Sequence, residues 1–229
     1  MNFDIIIQCR FGSERLRGKI LYEFDNGSFL DFLCSNLKKN LKIKNIILAT
    51  PYDNFNKVFQ QIAKKNRVKI FFSKKIKTNN LLKRYYFCSK KFKSQNIIRI
   101  TSDCPFINPN IIKKMISHYK KNELKFLTNN KPRHVPHGFD CEIIEKSLLK
   151  RAYLKAKSKF DKEHVTPWIY RNYFKKENNI KMLKKNFSNF RLTLDYEKDY
   201  INFKENIVAL KSIAISKNFE KYLNKKTFK

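Results

Sequence analysis

Apolar and polar residues follow two rhythms along the first half of the chain. Short, nearly unbroken apolar runs stand at 4–9 (DIIIQC), 45–49 (NIILA), 68–72 (VKIFF) and 96–101 (NIIRIT). Runs of this length, bounded by polar turns, read as strands buried on both faces. Between them, 28–40, 53–65, 80–92 and 109–121 place apolar residues at helical spacing, as with Phe29, Phe32, Leu33 and Leu37. Ser28 fits an N-cap, and Asn108 fits the cap ahead of Pro109 in a first helical turn. Strand and helix alternating in this way predict βαβ units. The expected fold is α/β, with a mostly parallel central sheet and helices on both faces.

The rhythm changes from about residue 125. Strands are expected in FLTNN (126–130) and HGFDCEII (137–144), separated by the Pro- and His-containing KPRHVPH. Helical patterns follow at 146–157 and 161–173, then a strand-like NFRLTLD (189–195) and a helical 197–211. With no repeat and no Gly/Ser- or Pro-rich linker, residues 1–229 read as a single domain with a less regular insertion at about 125–175.

Composition narrows the setting. No apolar run approaches the roughly 18–20 residues of a membrane-spanning helix, and the first residues lack a signal-peptide pattern. The five cysteines (Cys9, Cys34, Cys88, Cys104, Cys141) are scattered and never spaced CxxC, so reduced thiols and a cytoplasmic location are expected. The net charge of +32 invites a polyanionic partner. However, 41 of the 51 basic residues are Lys, spread over nearly every segment beside 25 Asn. A drifted surface explains this better than dedicated nucleic-acid binding, which gathers Arg and aromatics on one face.

Three constellations carry chemistry. The first is the loop after the first strand, QCRFGSERLRGK, which gathers Arg10, Arg15, Arg17 and Lys19 around Gly12, Ser13 and Gly18. Glycines let backbone N–H groups turn toward an anion, and a loop at this end of a parallel sheet is where such folds bind phosphates. It is neither a Walker loop, since five residues separate Gly12 from Gly18 and Ile20 follows Lys19, nor a GxGxxG. The second is RITSDCP, where Asp103 follows an apolar strand over the same crevice. The third is RLTLDYEKD, where Asp195 ends a strand-like segment and Asp199 lies in the next helix's first turn. Each aspartate alone could be a turn or a cap. Together they make a two-carboxylate site for Mg²⁺ opposite a triphosphate. Without a cation the two would repel and one pKa would rise.

Weaker patterns were also weighed. His134, His137 and Cys141 are one ligand short of a closed zinc site. Glu163-His164 is not HExxH, because Pro167 takes the second histidine's place. It reads as scaffold near a dimer or sugar side. The run Tyr85, Tyr86, Phe87 reads as helix core.

Taken in order, QCRFGSERLRGK, RITSDCPFINP, HGFDCEII, KEHVTPWIY and RLTLDYEKDY resemble the cytidylyltransferases of spore-coat polysaccharide biosynthesis, relatives of the CMP-sialic acid and CMP-Kdo synthetases. The resemblance spans roughly residues 4–205. It implies a Rossmann-like nucleotide-diphospho-sugar transferase fold, usually dimeric, that uses CTP and Mg²⁺ to activate a sugar acid or related sugar and releases pyrophosphate. By position it assigns Arg10, Gly12, Ser13, Arg15, Lys19 and Arg84 to the nucleotide. It assigns Asp103 and Asp195 to the metal, with Asp140 and Glu142 beside the sugar. Arg10, Arg15, Lys19, Asp103 and Asp195 form the expected catalytic set. The sequence departs from the family at Arg17 (usually Pro), Ser102 (often Gly), and Asn80 and Lys83 (often acidic). Two rivals stand beside this reading. One is a same-fold transferase using another nucleotide or a glycosyl donor, although no DxD follows the central strand. The other is a non-catalytic, Lys-rich polyanion-binding protein.

Overall fold

The computed structural model describes residues 1–223. Its strands are β1 (Phe3–Gln8), β2 (Glu23–Phe24), β3 (Gly27–Ser28), β4 (Asn45–Pro51), β5 (Lys69–Ser73), β6 (Asn96–Thr101), β7 (Phe126–Thr128) and β8 (Glu142–Glu145). Its α-helices are α1 (Phe29–Asn40), α2 (Asn56–Lys65), α3 (Leu81–Lys91), α4 (Pro109–Lys121), α5 (Lys146–Lys155), α6 (Lys159–His164), α7 (Pro167–Asn172), α8 (Glu197–Glu205) and α9 (Ile207–Ile215). A six-stranded sheet runs in the order β5-β4-β1-β6-β8-β7, and β2-β3 form a small separate hairpin. The first four strands of the large sheet are parallel, while β8 pairs antiparallel with both β6 and β7.

The apolar runs are sorted face by face with period two. Ile5 and Ile7 of β1, Ile46 and Leu48 of β4, and Ile98 and Ile100 of β6 pack on one side with α1, α2, α4, α8 and α9. Ile6, Ile47, Ala49 and Ile97 pack on the other with α3, α5 and α7. The insertion at 125–175 supplies the two antiparallel strands and the helices α5–α7 of that second face. Chain direction fixes the site. From β1 the chain moves outward through β4 and β5, then returns to β6 on the other flank of β1. A crevice therefore opens where β1 and β6 end, the switch point at which open α/β sheets bind ligands.

The predicted caps are present. Ser28 Oγ accepts the Asp31 N–H at 3.1 Å while Asp31 Oδ2 accepts the Ser28 N–H, closing a capping box. Asn108 caps α4 ahead of Pro109. Four expectations are corrected. The helical pattern at 161–173 splits into α6 and α7, because Pro167 cannot donate inside a helix and starts a new one. The segment 197–211 breaks at Asn206, a poor helix former whose side chain bonds back to the Asn202 carbonyl. In 137–144 only Glu142–Glu145 is strand. Residues 189–195 form no strand. They run extended past residue 137, with one bridge between His137 and Arg191, burying Leu192 and Leu194. That close passage needs Gly138, since a Cβ there would lie 2.6 Å from the Leu192 carbonyl oxygen and its φ is +102°.

Candidate active site

The loop after β1 closes on itself. The Gly18 N–H donates to the Phe11 carbonyl at 2.9 Å, and Gly18 adopts φ +68°. Phe11 stacks on Phe55, and the Arg17 guanidinium lies 5.4 Å above the Phe11 ring. Arg17, standing where the resemblance has Pro, thus clamps the loop from outside. The short 3-10 turn Lys19–Leu21 follows and buries Lys19. The loop, the end of β6 and the start of α3 enclose a cavity of about 300 Å³. Arg10, Ser13, Arg15, Lys19, Arg84 and Asp103 all line it. Residues distant in sequence are thereby brought to one place, although Asp195 is not among the lining residues.

Gly12 is exposed and does not line the cavity, and a Cβ there would meet nothing within 4 Å. The protein itself therefore sets no demand for glycine at that position.

Arg84 is fully buried on α3. Its Nε donates to Ser73 Oγ at 2.9 Å and its Nη2 to the Thr78 carbonyl at 3.0 Å, but Nη1 has no partner. Burial, reinforced by the like charge of Arg10, pushes its pKa down to about 10, so it stays charged at neutral pH. Among the described residues neither Arg84 nor Arg10 forms an ion pair. A buried cationic donor that lines a cavity and lacks an acceptor is chemically suited to an anion.

The aspartates behave differently from one another. Asp195, on the extended segment, is almost buried. Its Oδ1 accepts from Arg15 at 2.6 Å and from Lys19 at 2.7 Å, and its Oδ2 accepts from Arg191 at 2.6 Å. Burial pushes its pKa up, but the hydrogen bonds from Lys19 and Arg191 and the charges of Lys19 and Arg15 outweigh this and hold it below the usual carboxylate range. Asp103 is nearly a third exposed and faces the cavity, with Lys19 Nζ 3.6 Å from its Oδ2. The two carboxylates do not face each other without a cation: Lys19 stands between them, 2.7 Å from Asp195 and 3.6 Å from Asp103. Among the described residues no group of three or more His, Cys, Asp or Glu could hold a metal. As a donor set for Mg²⁺ the pair therefore fits in part. Asp103 is only lightly engaged, by the Cys104 thiol at 3.8 Å and Lys19 at 3.6 Å, whereas the oxygens of Asp195 are held by three cations at 2.6–2.7 Å.

The candidates for the sugar lie away from the cavity lining. Asp140 accepts from Arg133, from Asn130 at 3.0 Å and from the Gly138 N–H at 3.2 Å. Glu142 is buried, accepting from Arg99 at 2.9 Å, Tyr170 at 2.8 Å and Thr166 at 3.3 Å. Arg99 in turn reaches Gln8 Oε1 at 3.4 Å, and Gln8 does line the cavity.

Several residues escaped the sequence reading. Arg191 pairs with Asp195 and lies 3.5 Å from Asp199, whose Oδ2 accepts the backbone N–H groups of Asp195 and Tyr196. The signal was the four-residue spacing of Arg191 and Asp195 on one side of an alternating segment. Gln8 also lines the cavity, as does the Glu163-His164 pair read above as scaffold, just ahead of a turn at Val165 with φ +72°. Tyr85 is core, as expected, while Tyr86 and Phe87 are half-buried.

Comparison with known proteins agrees with this architecture. The profile of the cytidylyltransferase family matches residues 5–226. The chain is similar to the spore coat polysaccharide biosynthesis protein SpsF of Bacillus subtilis, at 26% identity over 87% of this chain and 83% of that protein. It is similar in structure to a cytidylyltransferase from Leptospira borgpetersenii, with TM-score 0.84 and 32% identity over 91% of this chain and 87% of that one. A CMP:2-keto-3-deoxy-manno-octonic acid synthetase solved with CTP shares the fold, with TM-score 0.69 at 12% identity over 91% of this chain and 99% of that one. A Rossmann-like nucleotidyltransferase fold, a phosphate-ready crevice at its switch point and this match across the chain carry one conclusion: the protein belongs to the cytidylyltransferase family.

Proposed function

We propose that the chain transfers CMP from CTP to an acidic sugar or related sugar, releasing pyrophosphate for surface polysaccharide synthesis. The observation that carries the reading is the buried, unpartnered Nη1 of Arg84 beside Arg10: neither forms an ion pair among the described residues, although Glu14, Asp103 and Glu163 line the same cavity. Likeness to SpsF, and to a synthetase solved with CTP, supports the choice of nucleotide and acceptor.

The reaction is a single in-line displacement. A sugar oxygen bonds to the α-phosphorus, the bond from that phosphorus to the bridging oxygen breaks, and pyrophosphate leaves with the electron pair. The hydroxyl proton passes to water. Arg10 and Arg84 would neutralise the phosphates from inside the crevice, and Arg15, Lys19 and the Ser13 hydroxyl from the loop. Mg²⁺, held by Asp103 and Asp195, would supply charge neutralisation at the transferring phosphate. Glu142 would act from behind the wall, orienting Gln8 through Arg99, and Asp140 would hold the neighbouring loop beside the sugar.

The test is CTP-dependent pyrophosphate release with a panel of sugar acids and sugar phosphates, repeated with ATP, GTP and UTP. Turnover with another nucleotide in preference to CTP would favour the same-fold rival. Binding of every polyanion without turnover would favour the Lys-rich binder. We read the enzyme as a homodimer, since Ile201, Val208 and Ile215 of α8 and α9 leave apolar side chains more than half exposed. Light scattering should give twice 27.6 kDa.

A further inference from the structure

The groups around Asp195 form a closed electrostatic unit. Three cations (Arg15, Lys19, Arg191) meet three carboxylates (Asp103, Asp195, Asp199), every contact being 3.6 Å or less. The cluster is therefore neutral in itself, and Arg10 and Arg84 are the cations of the cavity that lie outside it. Asp195 is the hub. Both of its oxygens are engaged, its side chain is 6% exposed, and two of its three cations come from the β1 loop. Three of the roughly four lone-pair sites of this carboxylate are taken by cations, which leaves it little to offer a divalent ion. Asp103, by contrast, is touched only at the edge of the unit.

The third cation is fixed differently from the other two. Arg191 sits on the same extended segment as Asp195, and both Arg191 and Arg15 lie over the Tyr196 ring, at 5.6 and 5.5 Å. Arg191 also touches Asp199, so it keeps a partner whatever Asp195 does. Arg15 and Lys19 keep only Tyr196 and Asp103 respectively. These two are the cations that can leave.

We propose that Asp195 acts in the free enzyme as an internal counter-anion that parks Arg15 and Lys19, and that the phosphates of the nucleotide draw them off and so release Asp195 for the metal. The metal site on this account is assembled by the nucleotide rather than waiting for it. Phosphate outcompetes a single carboxylate for the two cations because it offers more acceptor oxygens and more charge. Meanwhile Arg10 and Arg84, which form no ion pair among the described residues, provide the first landing point. The inference rests on the reading that Asp103 and Asp195 hold Mg²⁺ in the loaded site, and the experiment separates the two.

Calorimetric titration with inorganic pyrophosphate in excess chelator tests the parking directly, without metal or turnover. Wild type and Asp195→Asn are compared, with circular dichroism as the check on folding. Because the carboxylate competes with pyrophosphate for Arg15 and Lys19, the Asn variant should bind roughly tenfold more tightly, the order of one charge-assisted hydrogen bond set free. Equal or weaker binding by the folded variant overturns the proposal. A second measurement covers the case in which Asp195→Asn does not fold. Mn²⁺ binding followed by electron paramagnetic resonance, with no nucleotide present, should be weak in wild type and at least tenfold tighter in Lys19→Met. Wild type binding Mn²⁺ alone as tightly as Lys19→Met also overturns it. If Lys19→Met binds CTP yet takes up no Mn²⁺ with or without it, the metal assignment itself fails. The parking of Arg15 and Lys19, read in chelator, would then stand or fall on the pyrophosphate result alone.

Discussion

Replacing Arg84 by Met should move stability and nucleotide affinity in opposite directions. The guanidinium is fully buried with Nη1 unsatisfied, and burial lowers its pKa to about 10. For a cation the sign is clear: a folded-state pKa below the unfolded one means the charge opposes folding at neutral pH. The drop corresponds to roughly 3 kcal/mol. Against it stand the hydrogen bonds to Ser73 and Thr78, worth about 1 kcal/mol each. Methionine fills most of the volume without a charge to desolvate. The ligand-free variant should therefore gain about 1 kcal/mol, which is roughly 2–4 °C in Tm at this chain length. CTP should suffer, because a charge-assisted hydrogen bond contributes about 1.5–3 kcal/mol, or roughly 10- to 100-fold in affinity. Thermal denaturation without ligand and calorimetric titration with CTP give both quantities. A variant that melts several degrees lower while binding CTP normally would make Arg84 a structural residue. The anion site argued from its orphaned donor would then be refuted.

Other consequences are read more simply. CTP should raise the Tm more than ATP, GTP or UTP, and Lys19→Ala should diminish that shift; equal shifts by all four would refute nucleotide selectivity. Asp103→Asn should abolish turnover with Tm unchanged, since it is a partly exposed carboxylate with one long ion pair. Asp195→Asn instead takes the short ion pair from the buried Lys19, at about 1.5–3 kcal/mol, while Arg15 and Arg191 are about half exposed and lose little. Its melting point should fall by roughly 3–12 °C and recover with pyrophosphate. Asp195, Asp140 and Asp161 all have pKa values held below the ordinary range, so their stabilisation is complete above about pH 4 and is lost as pH falls through the folded values. A scan of Tm from pH 7 to 3 should be flat until about pH 4 and then descend. Neutralising Lys74, Lys75 and Lys77 should leave turnover within about threefold, since exposed charges are screened beyond about 10 Å. The lysines of the tail NKKTFK belong to the same expectation but lie outside the described residues.

The sheet was legible because its evidence is local. An unbroken apolar run such as FDIIIQ can be buried only between two helical layers, and the structure sends Ile5 and Ile7 to one and Ile6 to the other. The crevice was legible for the same reason: a Gly- and Arg-rich loop directly after such a strand has one place to go. Residues 189–195 were misread because alternation reports one-sided burial, not hydrogen bonding. Leu192 and Leu194 are indeed buried, but against Gly138 and its neighbours rather than in a ladder. The break at Asn206 carries no Pro or Gly, and so left only a weak trace.

What the chain could not disclose is partnership across distance. Lys19 and Asp195 are 176 positions apart, and no spacing in either motif says that one neutralises the other. Read singly, Arg15 and Lys19 are phosphate ligands and Asp195 is a metal ligand, and the natural expectation is a repelling carboxylate pair that needs a metal. Read together in the fold, they cancel. The cations that look free in the sequence are bound to an internal anion, while those without an ion pair among the described residues are Arg10 and the fully buried Arg84. The charge balance around Asp195 makes sense of this inversion. A crevice carrying several uncompensated cations would repel itself and destabilise the fold. Parking two of them on one buried carboxylate stabilises the empty enzyme and keeps them within a side chain's reach of the triphosphate.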